Sequence, residues 1–290
     1  MNDADAVARW HRPVDLAEAL AIKDRWRAHV RPIAGCTDLM VERNGATTPV
    51  PACLDLSTLP ELQQITVDAD GVTIGAAVSC TRIAAHPVIG GRLPMLVQST
   101  RCTGSIAIQN RATLGGNIMN GSPAADNPPV LLAYGARITL ASVRGSRTLD
   151  YNAFHTGYRQ TVAQDDELLT AIMLPFPARD ALQFHRKVGT RRAQAISKVA
   201  LAAVISCESG PDADAARITR ARFGFASLAP TPLLARALAQ AVTGKRRGEC
   251  AAAVVAALAS DLQPIDDIRS SAEYRRRVAT NLVFAALDAR

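Results

Sequence analysis

Apolar residues recur at Leu16, Ala19, Leu20 and Ile22 behind an Asp15-x-x-Glu18 capping pattern, which predicts a helix over Asp15–His29 with Pro13 just outside it. The pattern then shortens. HVRPIAG reads as an extended run ending at Gly35, CTDL as a tight turn leading into Met40 and Val41, and ACLDL at 52–56 as a second buried strand. Together these predict a small β-α-β unit over residues 1–60.

From Leu62 the period changes to two. QQITV and VTIGA flank Asp-Ala-Asp-Gly as a hairpin, and RITLAS and RTLD flank Arg-Gly-Ser as another. Thr81–Ala85 and Pro94–Arg101 read as helices, and Pro128 and Pro129 open a third over VLLAYGA, since a first helical turn does not need the missing proline N–H. ELLTAIMLP, 167–175, is a strand stopped by proline. This second unit, 61–178, ends at the linker PFPARD. The third, 179–290, holds LQFHRKV, the apolar run KVALAAVISCES, the turn GPDAD and the alternating ARITRARFGFAS, which predict a three-stranded antiparallel sheet. Three helices follow, Pro232–Val242 with Gly244 as the stop, Glu249–Leu262 and Ser271–Ala289. The fold class is α+β.

A chain of 290 residues with 48% apolar composition has material for two or three packed units. The formal charge is +7, and 33 basic residues minus four lysines leaves 29 arginines. They are scattered without a dense run or interleaved aromatics, which argues against a dedicated nucleic-acid surface. The six cysteines lie far apart with no CxxC pair, so no metal cluster is expected in this chain, and His11, His86, His155 and His185 show no ligand spacing. The amino-terminal MNDADAVARWHR carries acids and lacks the apolar core of a secretory signal, and no run is long enough to span a bilayer. A soluble protein of the reducing cytoplasm is expected.

Two segments carry candidate chemistry. Arg111–Asp126, RATLGGNIMNGSPAAD, concentrates Gly115, Gly116 and Gly121 with the short polar side chains of Thr113, Asn117, Asn120 and Ser122. Glycines admit positive dihedrals and close backbone approach, and amides with hydroxyls suit a phosphate. PIAGCTDL, Pro32–Leu39, is a second candidate anion loop built around Gly35 and Thr37. Two such loops facing one another suit a diphosphate. There is no G-x-G-x-x-G and no G-x-x-x-x-G-K-[ST]. On local grounds alone, Asp126 reads as the cap of the Pro128 helix, Lys187 with Arg191 and Arg192 as an exposed basic edge, and Cys36 as an inert small residue.

AGCTDL, LDLSTLPEL, TLGGNIMNGSPAADNPPVLLAYGARITL, DELLTAIMLP and FHRKVGTRRAQAISKV occur in this order, and on them the chain resembles the FAD-binding medium subunit of molybdenum hydroxylases, the group of xanthine dehydrogenase and carbon monoxide dehydrogenase. The resemblance implies a two-part, PCMH-type FAD-binding domain followed by a C-terminal sheet with a helical bundle. It implies that Pro32, Ile33, Ala34, Gly35, Cys36, Thr37, Asp38 and Leu39 wrap the FAD diphosphate, that Thr113, Gly115, Gly116 and Asn117 complete the cradle, and that Asn120, Ser122 and Asp126 add contacts. Leu169 matches an apolar residue packed near the flavin, and Lys187 a lysine close to it. Cys36 and Gln109 depart from the family pattern, where glycine or asparagine and arginine are frequent.

The resemblance further implies no catalytic side chain and no metal in this chain. Electrons would pass from a small subunit with [2Fe–2S] clusters to FAD and on to an acceptor such as NAD, oxygen or a quinone-like carrier. A molybdopterin-bearing large subunit would hydroxylate the substrate, the whole forming a dimer of heterotrimers. The alternatives are a self-sufficient FAD-dependent reductase of the same superfold, which would need an acid and a substrate pocket, and a basic nucleic-acid-binding protein without a chromophore.

Overall fold

The computed structural model describes residues 10–45, 52–191, 193–208 and 216–289. The first unit is a parallel sheet of β1 (Trp10–His11), β2 (Val30–Ile33) and β3 (Ala52–Asp55) in the order β1-β3-β2, one strand more than the sequence pattern predicts. The first helix, α1 (Leu16–Trp26), starts as expected. The Asp15 carboxylate accepts the Glu18 amide at 2.8 Å, and Glu18 accepts the Val14 amide at 2.7 Å. It ends earlier than expected, in a 3₁₀ turn over Arg27–His29.

A tight turn was expected at CTDL, but α2 (Thr37–Gly45) begins there instead. Apolar Leu39, Met40 and Val41 are adjacent rather than spaced at helical intervals, so periodicity gives no helical signal.

The second unit is a five-stranded antiparallel sheet in the order β4-β5-β10-β6-β7, made of β4 (Ile65–Val67), β5 (Gly71–Gly75), β6 (Arg137–Ser142), β7 (Gly145–Asp150) and β10 (Leu168–Pro175). Both predicted hairpins form, and β10 takes the central place. A separate two-stranded antiparallel ribbon of β8 (His155–Gly157) and β9 (Gln160–Thr161) lies between β7 and β10 in the chain. Between β5 and β6 run six helices: α3 (Cys80–Ala85), α4 (Pro87–Arg92), α5 (Pro94–Arg101), α6 (Ile106–Arg111), α7 (Leu114–Met119) and α8 (Pro128–Tyr134).

The α8 helix joins the second unit to the third. All seven of its residues are buried, and Gly135 ends it in the left-handed conformation at φ +74°. A Cβ at Gly224 would lie 2.0 Å from the Pro129 carbonyl oxygen, so the strand carrying Gly224 packs flush on the helix. Arg222 donates from Nε and Nη2 to the Leu132 carbonyl at 3.1 and 2.8 Å, satisfying a C-terminal acceptor of α8.

The third unit has β11 (Leu182–Val188), β12 (Val199–Cys207), β13 (Ile218–Ala226) and β14 (Leu233–Leu234), antiparallel in that order. The expected three-stranded sheet is therefore four-stranded. Leu233 and Leu234 pair with Phe225 and Gly224 where a helix was predicted from Pro232, and α9 (Arg236–Val242) starts later. Strand β12 carries the buried run in the middle of this sheet, and α9, α10 (Ala251–Asp261) and α11 (Ala272–Asp288) cover one face. The GPDAD turn lies outside the described residues. The linker is strapped to the second unit: Phe176 donates its amide to the Asp70 carbonyl at 2.8 Å, and the Arg92 guanidinium sits 4.2 Å from its ring centroid.

Two histidines tie stability to pH. Burial pushes His155 and His185 down to about 4, helped at His185 by Lys187 and Arg186. His155 keeps one partner, the Tyr151 hydroxyl at 2.9 Å from Nε2. A folded-state value below the unfolded value of about 6.5 means that the unfolded chain binds the extra proton. Their stabilisation is thus complete above about pH 6.5 and disappears as pH falls towards 4, by at most about 3 kcal/mol per histidine. Denaturation midpoints measured across that window should fall with acid, with a shallower slope in a His155→Phe variant. Equal slopes would remove His155 from the account.

Candidate functional site

The loop joining β2 to α2 and the segment joining α6 to α8 face one another across a cavity of about 740 Å³. The volume lies inside the roughly 300–1,000 Å³ range of small-molecule and cofactor sites. Two sharp local features bring the loops together. A Cβ at Gly35 would stand 2.0 Å from the Arg111 carbonyl oxygen and 3.0 Å from the Ala112 Cα, so only glycine lets these backbones touch. Cys36 then takes the left-handed conformation at φ +62°, one that favours glycine or asparagine.

The two loops offer different donors. The amides of Thr37, Asp38 and Leu39 form the first turn of α2, where no intrahelical acceptor exists. The glycine-rich segment is folded as α7, with the Thr113 hydroxyl accepting the Gly116 amide at 3.0 Å as N-cap. Its other early amides are also taken: Leu114 by the Val78 carbonyl at 3.2 Å, Gly115 by Ala76 at 3.0 Å and Asn117 by Thr113 at 3.0 Å. This segment is stitched onto residues 76–80. It presents side chains and exposed backbone to the cavity in place of the amide nest that its glycines suggest.

Several charges at the cavity are paired. Glu42 on α2 accepts Arg31 at 2.6 Å and Arg159 at 3.2 Å, bridging the first unit to the turn of the β8–β9 ribbon, and the Arg31 hydrogen bond holds its carboxyl below the usual range. Burial, and then Glu42, push Asp38 up. Burial also pushes the Cys36 thiol up, with Asp55 adding to it, which leaves it the inert thiol that its loop setting suggests.

Asp126 does not cap α8; Asn127 occupies the N-cap position, and its side chain makes no cap bond there. The Asp126 carboxylate instead accepts Lys187 Nζ at 2.7 Å and the Ser197 hydroxyl at 2.9 Å. Lys187 is therefore an inward-facing residue of β11, also donating to the Cys102 carbonyl at 3.0 Å, and not an exposed basic edge.

Every site residue expected from the sequence lines the cavity except Lys187, which reaches it through Asp126. Gln109 is absent from the lining and ties α6 to the end of α5 through the Arg101 carbonyl at 2.8 Å. Sequence reasoning missed the walls supplied by the Tyr158–Arg159 turn and, from the third unit, by Gln194–Ile196 and Arg269. The positive φ of Arg159 and Gln194 leaves no mark in residue type, so no local signal could have found them.

The family described as the FAD binding domain in molybdopterin dehydrogenase matches residues 5–177, and the CO dehydrogenase flavoprotein C-terminal domain matches 184–289. The chain belongs to this FAD-binding family. It is 30% identical over 272 residues to the xanthine dehydrogenase FAD-binding subunit of Escherichia coli O157:H7, covering 92% of this chain and 90% of that one. It is 26% identical over 281 residues to the carbon monoxide dehydrogenase medium chain of Hydrogenophaga pseudoflava, covering 97% and 96%. A solved structure of carbon monoxide dehydrogenase from that organism, lacking the Mo-pyranopterin moiety of its cofactor, superposes with a TM-score of 0.90 over 98% of this chain and 97% of that chain at 26% identity.

The cavity of this oxidoreductase flavoprotein fits FAD on its own terms. The first-turn amides of α2, which have no intrahelical acceptor, suit a diphosphate, and buried Leu56, Leu62 and Leu169 give an apolar wall for ring systems. Among the described residues no group of His, Cys, Asp and Glu could hold a metal ion, and no helix is long and apolar enough to cross a membrane.

Proposed function

We propose that this chain binds FAD in the cavity between its three units and uses it to pass electrons from the [2Fe–2S] clusters of a small partner subunit to an external acceptor, NAD, oxygen or another carrier. The molybdopterin centre would sit on a large subunit, the whole assembling as a dimer of heterotrimers in the cytoplasm. The observation that carries this reading is the cavity itself, in which both candidate anion loops and the expected apolar wall line one space in a chain matched along its length by the two domains of the family.

FAD supplies the exchange between one-electron and two-electron carriers, and the protein supplies binding and orientation. In this reading Pro32, Ile33, Ala34, Gly35, Cys36, Thr37, Asp38 and Leu39 wrap the diphosphate. Thr113, Gly115, Gly116 and Asn117 form the opposite wall, followed by Asn120, Ser122 and Asp126, while Leu169 packs at the flavin end and Lys187 holds Asp126. The chain divides into units 1–60, 61–178 and 179–290.

The full chain purified alone should carry one FAD, visible as flavin absorbance, and show no hydroxylation of heterocycles or aldehydes. Co-expression with cluster-bearing and molybdopterin-bearing partners should restore turnover. A colourless chain that takes up no added FAD, or substrate hydroxylation by the single chain, would overturn the reading.

A further inference from the structure

Beneath the cavity wall lies a buried polar chain that includes Asn127, which is 0% exposed. Asn127 Nδ2 lies 3.1 Å from Asn117 Oδ1 and 3.4 Å from Thr103 Oγ1, and its Oδ1 accepts the Ser99 hydroxyl at 2.9 Å. The Asn127 NH₂ group faces Thr103 and Asn117, and its carbonyl oxygen faces Ser99. Thr103 Oγ1 also lies 3.1 Å from the Ser99 carbonyl oxygen, and Ser99 Oγ 3.1 Å from the Leu96 carbonyl oxygen, which ties both hydroxyls to the backbone of α5. The same NH₂ donates to Asn117, so the carbonyl oxygen of Asn117 faces inward and its own NH₂ remains for the cavity that Asn117 lines.

We propose that Asn127 is a positioning residue for the cofactor: it holds the Asn117 amide with its NH₂ towards the cavity, so that Asn117 recognises an acceptor atom of FAD as a hydrogen-bond donor. This rests on the FAD reading given above. Asn127 touches no cofactor in this scheme and acts only through Asn117. An unanchored Asn117 would be free to turn its carbonyl oxygen to the cavity, setting one acceptor against another.

The test is a double-mutant cycle on the full chain, read by FAD titration and, separately, by thermal denaturation of the apoprotein. Asn117→Ala and Asn127→Ala should each lower FAD affinity about five- to tenfold, the size of one lost hydrogen bond. Asn127→Ala should lower it no further in the Asn117→Ala background, although its effect on the melting temperature persists there. A purely structural role would leave the two affinity losses multiplying, and that result overturns the proposal. So does unchanged affinity in either single variant. Should Asn127→Ala fail to fold, Ser99→Ala removes the anchor of its carbonyl, and the same dependence on Asn117 is required. If the unaltered chain binds no FAD, the FAD reading falls and takes this assignment with it.

Discussion

Replacing Gly35 with alanine is expected to abolish flavin retention. The added methyl carbon would stand 2.0 Å from the Arg111 carbonyl oxygen and 2.6 Å from its carbonyl carbon, distances no rotamer change relieves because every atom involved is backbone. The two loops must separate, and they are the two that line the proposed FAD cavity from opposite sides. Overpacking a well-fitted contact costs about 1–3 kcal/mol and more where backbone must move. At about 3 kcal/mol the loss of affinity is ~100-fold. The measurement is the flavin-to-protein absorbance ratio after gel filtration, with far-ultraviolet circular dichroism confirming the fold. A Gly90→Ala variant is the control, since a Cβ there meets nothing within 4 Å and replaces a glycine in α4. It should keep its flavin and gain up to about 1 kcal/mol of stability. Full flavin in Gly35→Ala would show that the touch between the loops does not shape the site. Gly116 makes a milder test, because a Cβ there meets only the Thr113 hydroxyl at 2.9 Å.

That contact also shows what the sequence could and could not disclose. Glycine at 35 and the cluster from 111 to 126 are visible as unusual composition, and the hairpins, the Asp15 cap and the proline-opened α8 follow local rules that the structure obeys. Short elements obey no such rule. The six-residue α6 and α7 complete fewer than two turns each, too little for a 3.6-residue period to show, and the two-residue β14 exists only because β13 offers it an edge.

Electrostatic roles were the least legible part of the site. Asp126 beside a proline-opened helix looks like a cap, and Lys187 beside two arginines looks like a surface. Only the fold brings their side chains to 2.7 Å across 61 positions of sequence. The wall contributed by Gln194–Ile196 and Arg269 is equally non-local, since it depends on how the third unit packs around α8.

Removing the amine of Lys187 is the change expected to cost the fold most. The Lys187→Met variant keeps much of the side-chain volume but leaves the Asp126 carboxylate, whose side chain is 12% exposed, with only the Ser197 hydroxyl. Breaking one partner out of a buried ion pair costs about 3–5 kcal/mol. The loss should depend on pH in a definite direction. Burial already pushes Asp126 up in the intact protein, with Lys187 and Ser197 opposing it, and without Lys187 the push is larger. A carboxylate with a raised folded-state value binds a proton that the unfolded chain releases, so stability is greatest at acid pH and falls as pH rises from the ordinary value of about 3.8 through the raised one. Lys187→Met should therefore lie nearer the parent at pH 5 than at pH 8, and Asp126→Asn added to it should restore stability at pH 8 by removing the charge. Urea denaturation of the three proteins at both pH values reads this directly. A Lys187→Met protein within about 1 kcal/mol of the parent at pH 8, the range of an exposed pair, would mean that the ion pair is solvated in practice and that Asp126 meets the cavity without needing Lys187 to hold it.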